Sequence, residues 1–331
     1  MADESGVLVV GEISEGELDV TTKEALAAGR KLAGELGSDV AVALLGKGIE
    51  GTATTAIEHG ADKVYLVDDD LLEEFQVDAY LAVLEKIAND YNPQIVLSTK
   101  TITGRDLAPR LAFRLGTGLI QDCIEVWIDK DSGKLAANRP VFGGNFIASV
   151  VSKGNRQVAA VRGKSVEALE PDSSRSGETI KFDAGIDSSM LKTRLVERVS
   201  EESEGIKLED ASIVVSGGRG LGGPEPFEQL QELATILGGA VGASRAVCDA
   251  GWLPSSYQVG LTGKTITPDL YITVAISGAS QHMAGCSASK VIVAINKDKD
   301  ANIFKEARYG VVGDWNKVFP AFVEQIKELT S

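Results

Sequence analysis

The stretch IVVSGGRGLGG, from Ile213 to Gly223, decides how this chain is read. Its β-branched opening, Ile213 to Val215, predicts a buried strand. SGGRGLGG follows at Ser216–Gly223, and a helical pattern then runs from about Pro226 to Leu237, stopped by Gly238-Gly239. A strand, a glycine loop and a helix bring backbone N–H groups toward an anion. Gly218, Gly220 and Gly222 do not keep the spacing of a dinucleotide fingerprint, so the motif alone equally suits a tight turn without a ligand. Arg219 adds a guanidinium suited to a diphosphate or an electron-rich ring.

The same pattern recurs downstream. Ala240–Ala243 is strand-like and is followed by Ser244 and Arg245. VGLTGK at Val259–Lys264 contains Gly-Lys without the spacing of a phosphate-binding P-loop. It reads as a hairpin turn, or as a place where the Thr262 hydroxyl and the Gly263 backbone meet a ligand. The apolar run Leu270–Ile276 leads into Ser277-Gly278-Ala279-Ser280-Gln281-His282. Small residues there admit a ligand close to the backbone, and a histidine can donate a hydrogen bond to a developing anion. Val291–Ile295 ends at Asn296 and Asp298, and Val311–Val312 ends at Gly313-Asp314. One such strand end is unremarkable; five in succession point to an extended nucleotide lying across the carboxyl ends of a sheet. With helices at Phe304–Ala307 and Phe319–Leu329, this half is predicted to be a doubly wound α/β domain.

Upstream, strand-like and helical runs also alternate: Val7–Val10, a helix opened by a capping box at Thr21–Glu24 and stopped by Gly37, Val40–Leu45, Thr52–Glu58, Lys63–Val67, a helix around Tyr80–Ala88, Ile95–Ser98, and a helix from about Arg105 to Leu115. Cys123–Ile128, Lys134–Val141, Phe146–Val151 and Gln157–Arg162 follow as short strands, separated by turns such as Asp131-Ser132-Gly133 and Gly143-Gly144-Asn145. The expectation is a mostly parallel sheet with an antiparallel extension. Pro171–Glu178 reads as a polar break. The acidic run Glu197–Gly205 reads as a linker, dividing an N-terminal domain 1–205 from a C-terminal domain 206–331.

Composition narrows the function. The 331 residues carry a net charge of −15, which disfavours nucleic-acid binding. No apolar run is long enough to span a bilayer, and the N-terminus lacks a signal-peptide pattern, so a cytoplasmic location is expected. Cys123, Cys248 and Cys286 lack metal or redox spacing, and two histidines make a histidine-based metal site a poor candidate. His59, in the last turn before Gly60, reads as structural.

The last third resembles the α subunit of electron-transfer flavoproteins. The resemblance rests on SGGRGLG at Ser216–Gly222, GASRAVCDAGWLP at Gly242–Pro254, VGLTGKTITPDLYI at Val259–Ile272, ISGASQHMAG at Ile276–Gly285, VIVAINKD at Val291–Asp298 and YGVVGD at Tyr309–Asp314, in the family's order. It implies a heterodimer with a β subunit and an FAD held mainly by the C-terminal domain. Its contacts would be Arg219, Ser244, Arg245, Val259, Gly260, Leu261, Thr262, Ser277, Gly278, Ala279, Ser280, Gln281, His282, Asn296, Asp314 and Trp315. Thr262 would reach the flavin N5 region, His282 its pyrimidine end, and Arg245 would place a positive charge beside the ring. The implied role is an electron carrier between flavin dehydrogenases, such as those acting on acyl-CoA in fatty acid β-oxidation, and a membrane quinone oxidoreductase. A subunit of an NADH-dependent bifurcating flavoprotein is the alternative. An NAD-dependent oxidoreductase is disfavoured, because there is no proper fingerprint and no proton-transfer pair. The chain departs from the family at Leu261 (usually glutamine), Ser280 (isoleucine), Cys286 (methionine), Arg308 (aspartate) and Trp315 (leucine). The N-terminal domain would form a shallow bowl for the β subunit, with the FAD domain mobile above it.

Overall fold

The computed structural model describes residues 5–142, 146–183, 185–193, 195–197 and 206–330. Two compact units divide at Arg198/Val199. The turn expected at 143–145 and nearly all of the acidic linker lie outside the described residues.

In the first unit the elements run β1 (Val7–Val10), the short hairpin β2 (Ile13–Ser14) and β3 (Glu17–Leu18), α1 (Val20–Leu36), β4 (Val40–Gly46), α2 (Thr52–Glu58), β5 (Lys63–Asp68), α3 (Val77–Tyr91), β6 (Ile95–Thr99), α4 (Ile102–Arg114), β7 (Leu119–Cys123), β8 (Glu125–Ile128), β9 (Leu135–Val141), β10 (Phe146–Val151), β11 (Gln157–Val161) and β12 (Glu178–Lys181). Seven of these strands form one parallel sheet in the order β12-β5-β4-β1-β6-β11-β7. Its central strand shows why the apolar runs are unbroken: side chains alternate between two covered faces. Val7 and Val9 pack with Leu26 and Leu32 of α1 on one face. Leu8 and Val10 pack with Leu84 of α3 and Leu107 of α4 on the other. Each such burial contributes about 1.5–3 kcal/mol before chain entropy is opposed to it.

Four local readings are corrected. The cap of α1 is Asp19, whose Oδ1 accepts from the Thr21 backbone N–H at 2.8 Å and the Thr21 hydroxyl at 2.6 Å. Glu24 instead turns inward and accepts from the Lys164 N–H at 2.7 Å. The helix containing Pro109 starts earlier than expected, at Ile102, with the proline inside it. Apart from the β2–β3 hairpin, antiparallel pairing among the described residues is found in a separate sheet, β10-β9-β8, and not as an extension of the first. Gln157–Val161 belongs instead to the parallel sheet, between β6 and β7, where its five residues are all buried. Finally, Glu178–Lys181 is a parallel edge strand on β5. Three of its four residues are exposed, so it carried no apolar signal. His59 is buried, and its Nδ1 lies 2.8 Å from the Leu169 carbonyl, a structural role as expected.

The second unit contains β13 (Ile213–Gly217), α5 (Phe227–Ile236), β14 (Ala240–Ala243), α6 (Arg245–Asp249), β15 (Leu270–Val274), α7 (Ser280–Met283), β16 (Val291–Asn296), α8 (Ile303–Glu306), β17 (Tyr309–Val312) and α9 (Trp315–Thr330). Its five strands are all parallel, in the order β14-β13-β15-β16-β17. Val215, Leu230 of α5 and Phe319 of α9 share one core. Val214, Tyr271, Met283 and Ile303 share the other. The sheet is thus covered on both faces, as a doubly wound fold requires.

Candidate functional site

Because all five strands of the second sheet are parallel, their carboxyl ends share one edge. From β13 the chain moves to β14 on one side and then to β15 on the other, so the switch point lies between β13 and β15. Ligands of open α/β sheets bind in the crevice outside such a point. The loops flanking it are Gly218–Gly222 and Ala275–Ala279.

These loops approach too closely for side chains. A Cβ on Gly218 would stand 2.1 Å from the Ala275 carbonyl oxygen, while the Gly218 N–H donates to Val274 at 2.9 Å. Gly278 has φ +75, and a Cβ there would stand 2.2 Å from the Ile303 nitrogen. Ala275 itself has φ +57, a left-handed backbone that costs a side-chain-bearing residue on the order of 1 kcal/mol. Strain of this kind persists only where the surrounding structure over-determines it.

A second group of segments is drawn to the same edge. The Val259 N–H donates to Ala243 at 2.9 Å, extending the end of β14, and the Leu261 N–H donates to Gln281 at 2.7 Å. Ser244-Arg245, Val259–Thr262 and Gln281-His282 are therefore neighbours, although up to 38 positions separate them in sequence. Leu261, Thr262, Ser277, Ala279, Ser280 and Gln281 form an exposed rim, whereas Val259, Gly260, Gly278 and His282 are buried. Thr262 Oγ1 accepts from Gln258 Nε2 at 2.9 Å, leaving its own proton to donate. Arg245 is exposed and pairs with Asp249 at 3.3 Å, and Arg219 is exposed on its glycine loop.

His282 is the buried titratable group of this cluster. Its Nε2 lies 2.8 Å from the Tyr271 hydroxyl, with the two rings stacked at 6.1 Å. Its Nδ1 has no hydrogen-bond partner among the described residues. Burial pushes the imidazole down to about 4, and the nearby Val259 carbonyl opposes this only in part. Burial also holds Tyr271 protonated, well above the ordinary phenol range. With the Tyr271 hydroxyl as donor to Nε2, the tautomer that pairs the two, the ring proton is on Nδ1. The arrangement is a neutral imidazole whose Nδ1 has the Val259 carbonyl nearby but makes no well-formed hydrogen bond to it, and a buried donor left so poorly met costs up to about 1–3 kcal/mol. Tyr271 was missed as a site residue. Its one legible signal is a tyrosine within an apolar strand, whose buried hydroxyl must find a partner.

Two residues at the far strand ends are engaged locally. Asn296 Nδ2 donates to the Ile276 carbonyl at 2.8 Å, and its Oδ1 accepts from the Asp298 N–H at 3.0 Å. Asp314 Oδ1 accepts from the N–H and the side-chain amide of Asn316, each at 3.1 Å, which holds its carboxyl below the usual range. Trp315 opens α9 and packs against the core beneath it. These residues shape the β16 and β17 ends, and Asn296 keeps one amide proton free.

Comparison with known proteins gives the chain a family. Residues 7–187 match the electron transfer flavoprotein domain, and residues 207–287 match the electron transfer flavoprotein FAD-binding domain. The electron transfer flavoprotein subunit alpha of Thermoanaerobacterium thermosaccharolyticum is 46% identical over 99% of this chain and 100% of its own length. The subunit of the same name from Megasphaera elsdenii is 43% identical, over 99% of this chain and 98% of its own. Protein FixB of Clostridium saccharobutylicum is 42% identical, over 100% and 99%.

Proposed function

The chain belongs to the electron transfer flavoprotein α-subunit family, with FAD as its cofactor, and on that premise we propose that it carries electrons as the α half of a heterodimer with a β subunit. In this reading the donors are flavin dehydrogenases of the acyl-CoA type, the acceptor is a membrane quinone oxidoreductase, and the location is cytoplasmic. None of the described helices is long and apolar enough to cross a membrane.

The observation that carries the site assignment is the buried, neutral His282 with its poorly met Nδ1 at the edge where five strand ends meet. FAD, when bound, supplies one- and two-electron redox chemistry. The chain supplies the environment. The glycines of 218–222 and Gly278 let backbone approach the cofactor without side chains intervening. Arg219, Ser244 and Arg245 offer positive charge and a hydroxyl, and Ser277, Ala279, Ser280 and Gln281 form the rim beside them. Thr262 holds a free hydroxyl proton, and His282 holds a proton at Nδ1, each placed to stabilise negative charge as it develops. Leu261 contributes its backbone and no amide, so this contact is apolar. Val259 and Gly260 form the floor, while Asn296, Asp314 and Trp315 set the far end for the nucleotide portion. We place the domain boundary between residues 198 and 206.

The test is a visible absorption spectrum of the chain copurified with its β subunit, followed by turnover with an acyl-CoA dehydrogenase. One flavin per heterodimer, reduced by the dehydrogenase, is the expected result. Two flavins reducible by NADH would transfer the chain to the bifurcating class. Absence of flavin absorption after FAD is added would sink the reading.

A further inference from the structure

The first unit repeats the topology that builds a ligand crevice. From β1 the chain moves to β4 on one side and to β6 on the other, so a second switch point lies between β1 and β6. A cavity of about 80 Å³ opens there, with room for several waters or one small organic molecule. Its apolar wall is formed by Val10, Leu45, Phe75, Tyr80, Leu84 and Leu107. The Tyr80 hydroxyl is committed to the Leu72 carbonyl at 3.1 Å, so its ring is what faces the space.

Two polar side chains in the lining stand out. Ser98, at the end of β6, is only 3% exposed, yet its Oγ has no hydrogen-bond partner among the described residues. Glu12, just past β1, accepts the Thr99 and Thr101 hydroxyls, both at 2.6 Å and both on Oε1. Its Oε2 has no partner among the described residues. Thr101 is also the cap of α4, accepting from the Gly104 N–H at 2.9 Å. The negative charge favoured at the head of α4 is thus already supplied by Glu12, and a second anion is repelled. Burial pushes the Glu12 carboxyl up, against the two threonine bonds that lower it, so a cation that pairs with it relieves a real cost.

From the cavity, the orphaned Ser98 hydroxyl and the half-coordinated Glu12 carboxylate, we infer that the N-terminal unit binds a small primary amine. Its ammonium head donates to Glu12 Oε2 and Ser98 Oγ, and its short apolar body lies against Leu45, Tyr80 and Leu84. An acceptor-only molecule leaves Glu12 unpaired, an alcohol has one proton for two acceptors, and a carboxylate meets like charge. This site is independent of the FAD reading.

The experiment is calorimetric titration of the full chain, copurified with its partner subunit, with n-butylammonium chloride at constant ionic strength. Butan-1-ol and sodium butyrate serve as isosteric comparators. Saturable amine binding is expected, at least tenfold tighter than the alcohol, with no butyrate binding. Ser98→Ala removes no described hydrogen bond, so it should fold normally and weaken amine binding about five- to tenfold. Glu12→Gln should abolish the preference for amine over alcohol. No saturable heat with the amine, equal affinity in Ser98→Ala, or butyrate binding as tight as the amine would each overturn the assignment.

Discussion

At the scale of single residues, the proposed function depends on holding ordinary groups in unusual states. His282 titrates near 6.5 when unfolded but near 4 when folded. Between those values the unfolded chain binds more protons, so stability should fall as pH drops from about 6.5 to about 4. The loss is on the order of 3 kcal/mol. His282→Asn should flatten this limb of a denaturation-versus-pH series, and an unchanged slope would mean that His282 is not the group responsible. Tyr271 controls the same ring from behind. Tyr271→Phe leaves Nε2 buried without its donor and should cost about 1–3 kcal/mol. It also frees the ring proton to move to Nε2. We therefore expect a lower flavin midpoint potential by spectroelectrochemistry with FAD still bound; an unmoved potential would reduce Tyr271 to a packing residue.

At the scale of elements, backbone geometry dominates. Gly278→Ala would combine a left-handed φ with a Cβ 2.2 Å from the Ile303 backbone nitrogen, neither of which a rotamer change can relieve. A loss of about 3 kcal/mol or more is expected in urea denaturation, together with loss of FAD from the purified protein. The sheet of the first unit has a comparable special point. β7 bulges against β11 at Asp122, which takes φ +68 and receives Arg162 in a bidentate pair at 2.7 and 2.8 Å. Burial raises this carboxyl, but the bonds and charges of Arg162 and Lys100 outweigh it and hold it below the usual range. A depressed carboxylate stabilises the fold above about pH 4, and that contribution disappears as pH falls through its folded value. Asp122→Asn should therefore cost about 1–3 kcal/mol at pH 7 and progressively less as pH falls below about 4, compared by chemical denaturation. An equal cost throughout would assign the effect to bulge geometry alone.

At the scale of the whole molecule, the two units have separate cores, and the expected FAD contacts all belong to the second. A ligand stabilises what it binds, by about 2.7 kcal/mol at a hundredfold excess over its dissociation constant. Calorimetry of the full chain should resolve two thermal transitions, with added FAD raising only one. A single transition that rises as a whole would show that the units unfold as one. The net charge of −15 attracts basic surfaces, an attraction that salt would screen.

The alternation of apolar runs with capped helices was enough to specify parallel sheets, because strands covered on both faces have to be continuously apolar. The strand ends were legible for a related reason: small and polar residues interrupt those runs where a strand leaves the core. Gln157–Val161 was misplaced and Glu178–Lys181 missed, since neighbour and direction in a sheet depend on pairing across long sequence separations, which no local pattern encodes. Tyr271 behind His282, and Ser98 beside Glu12, likewise became visible only in three dimensions. A hydroxyl looks the same in any sequence. Whether it is satisfied, shared or orphaned is decided by which distant residues the fold packs around it.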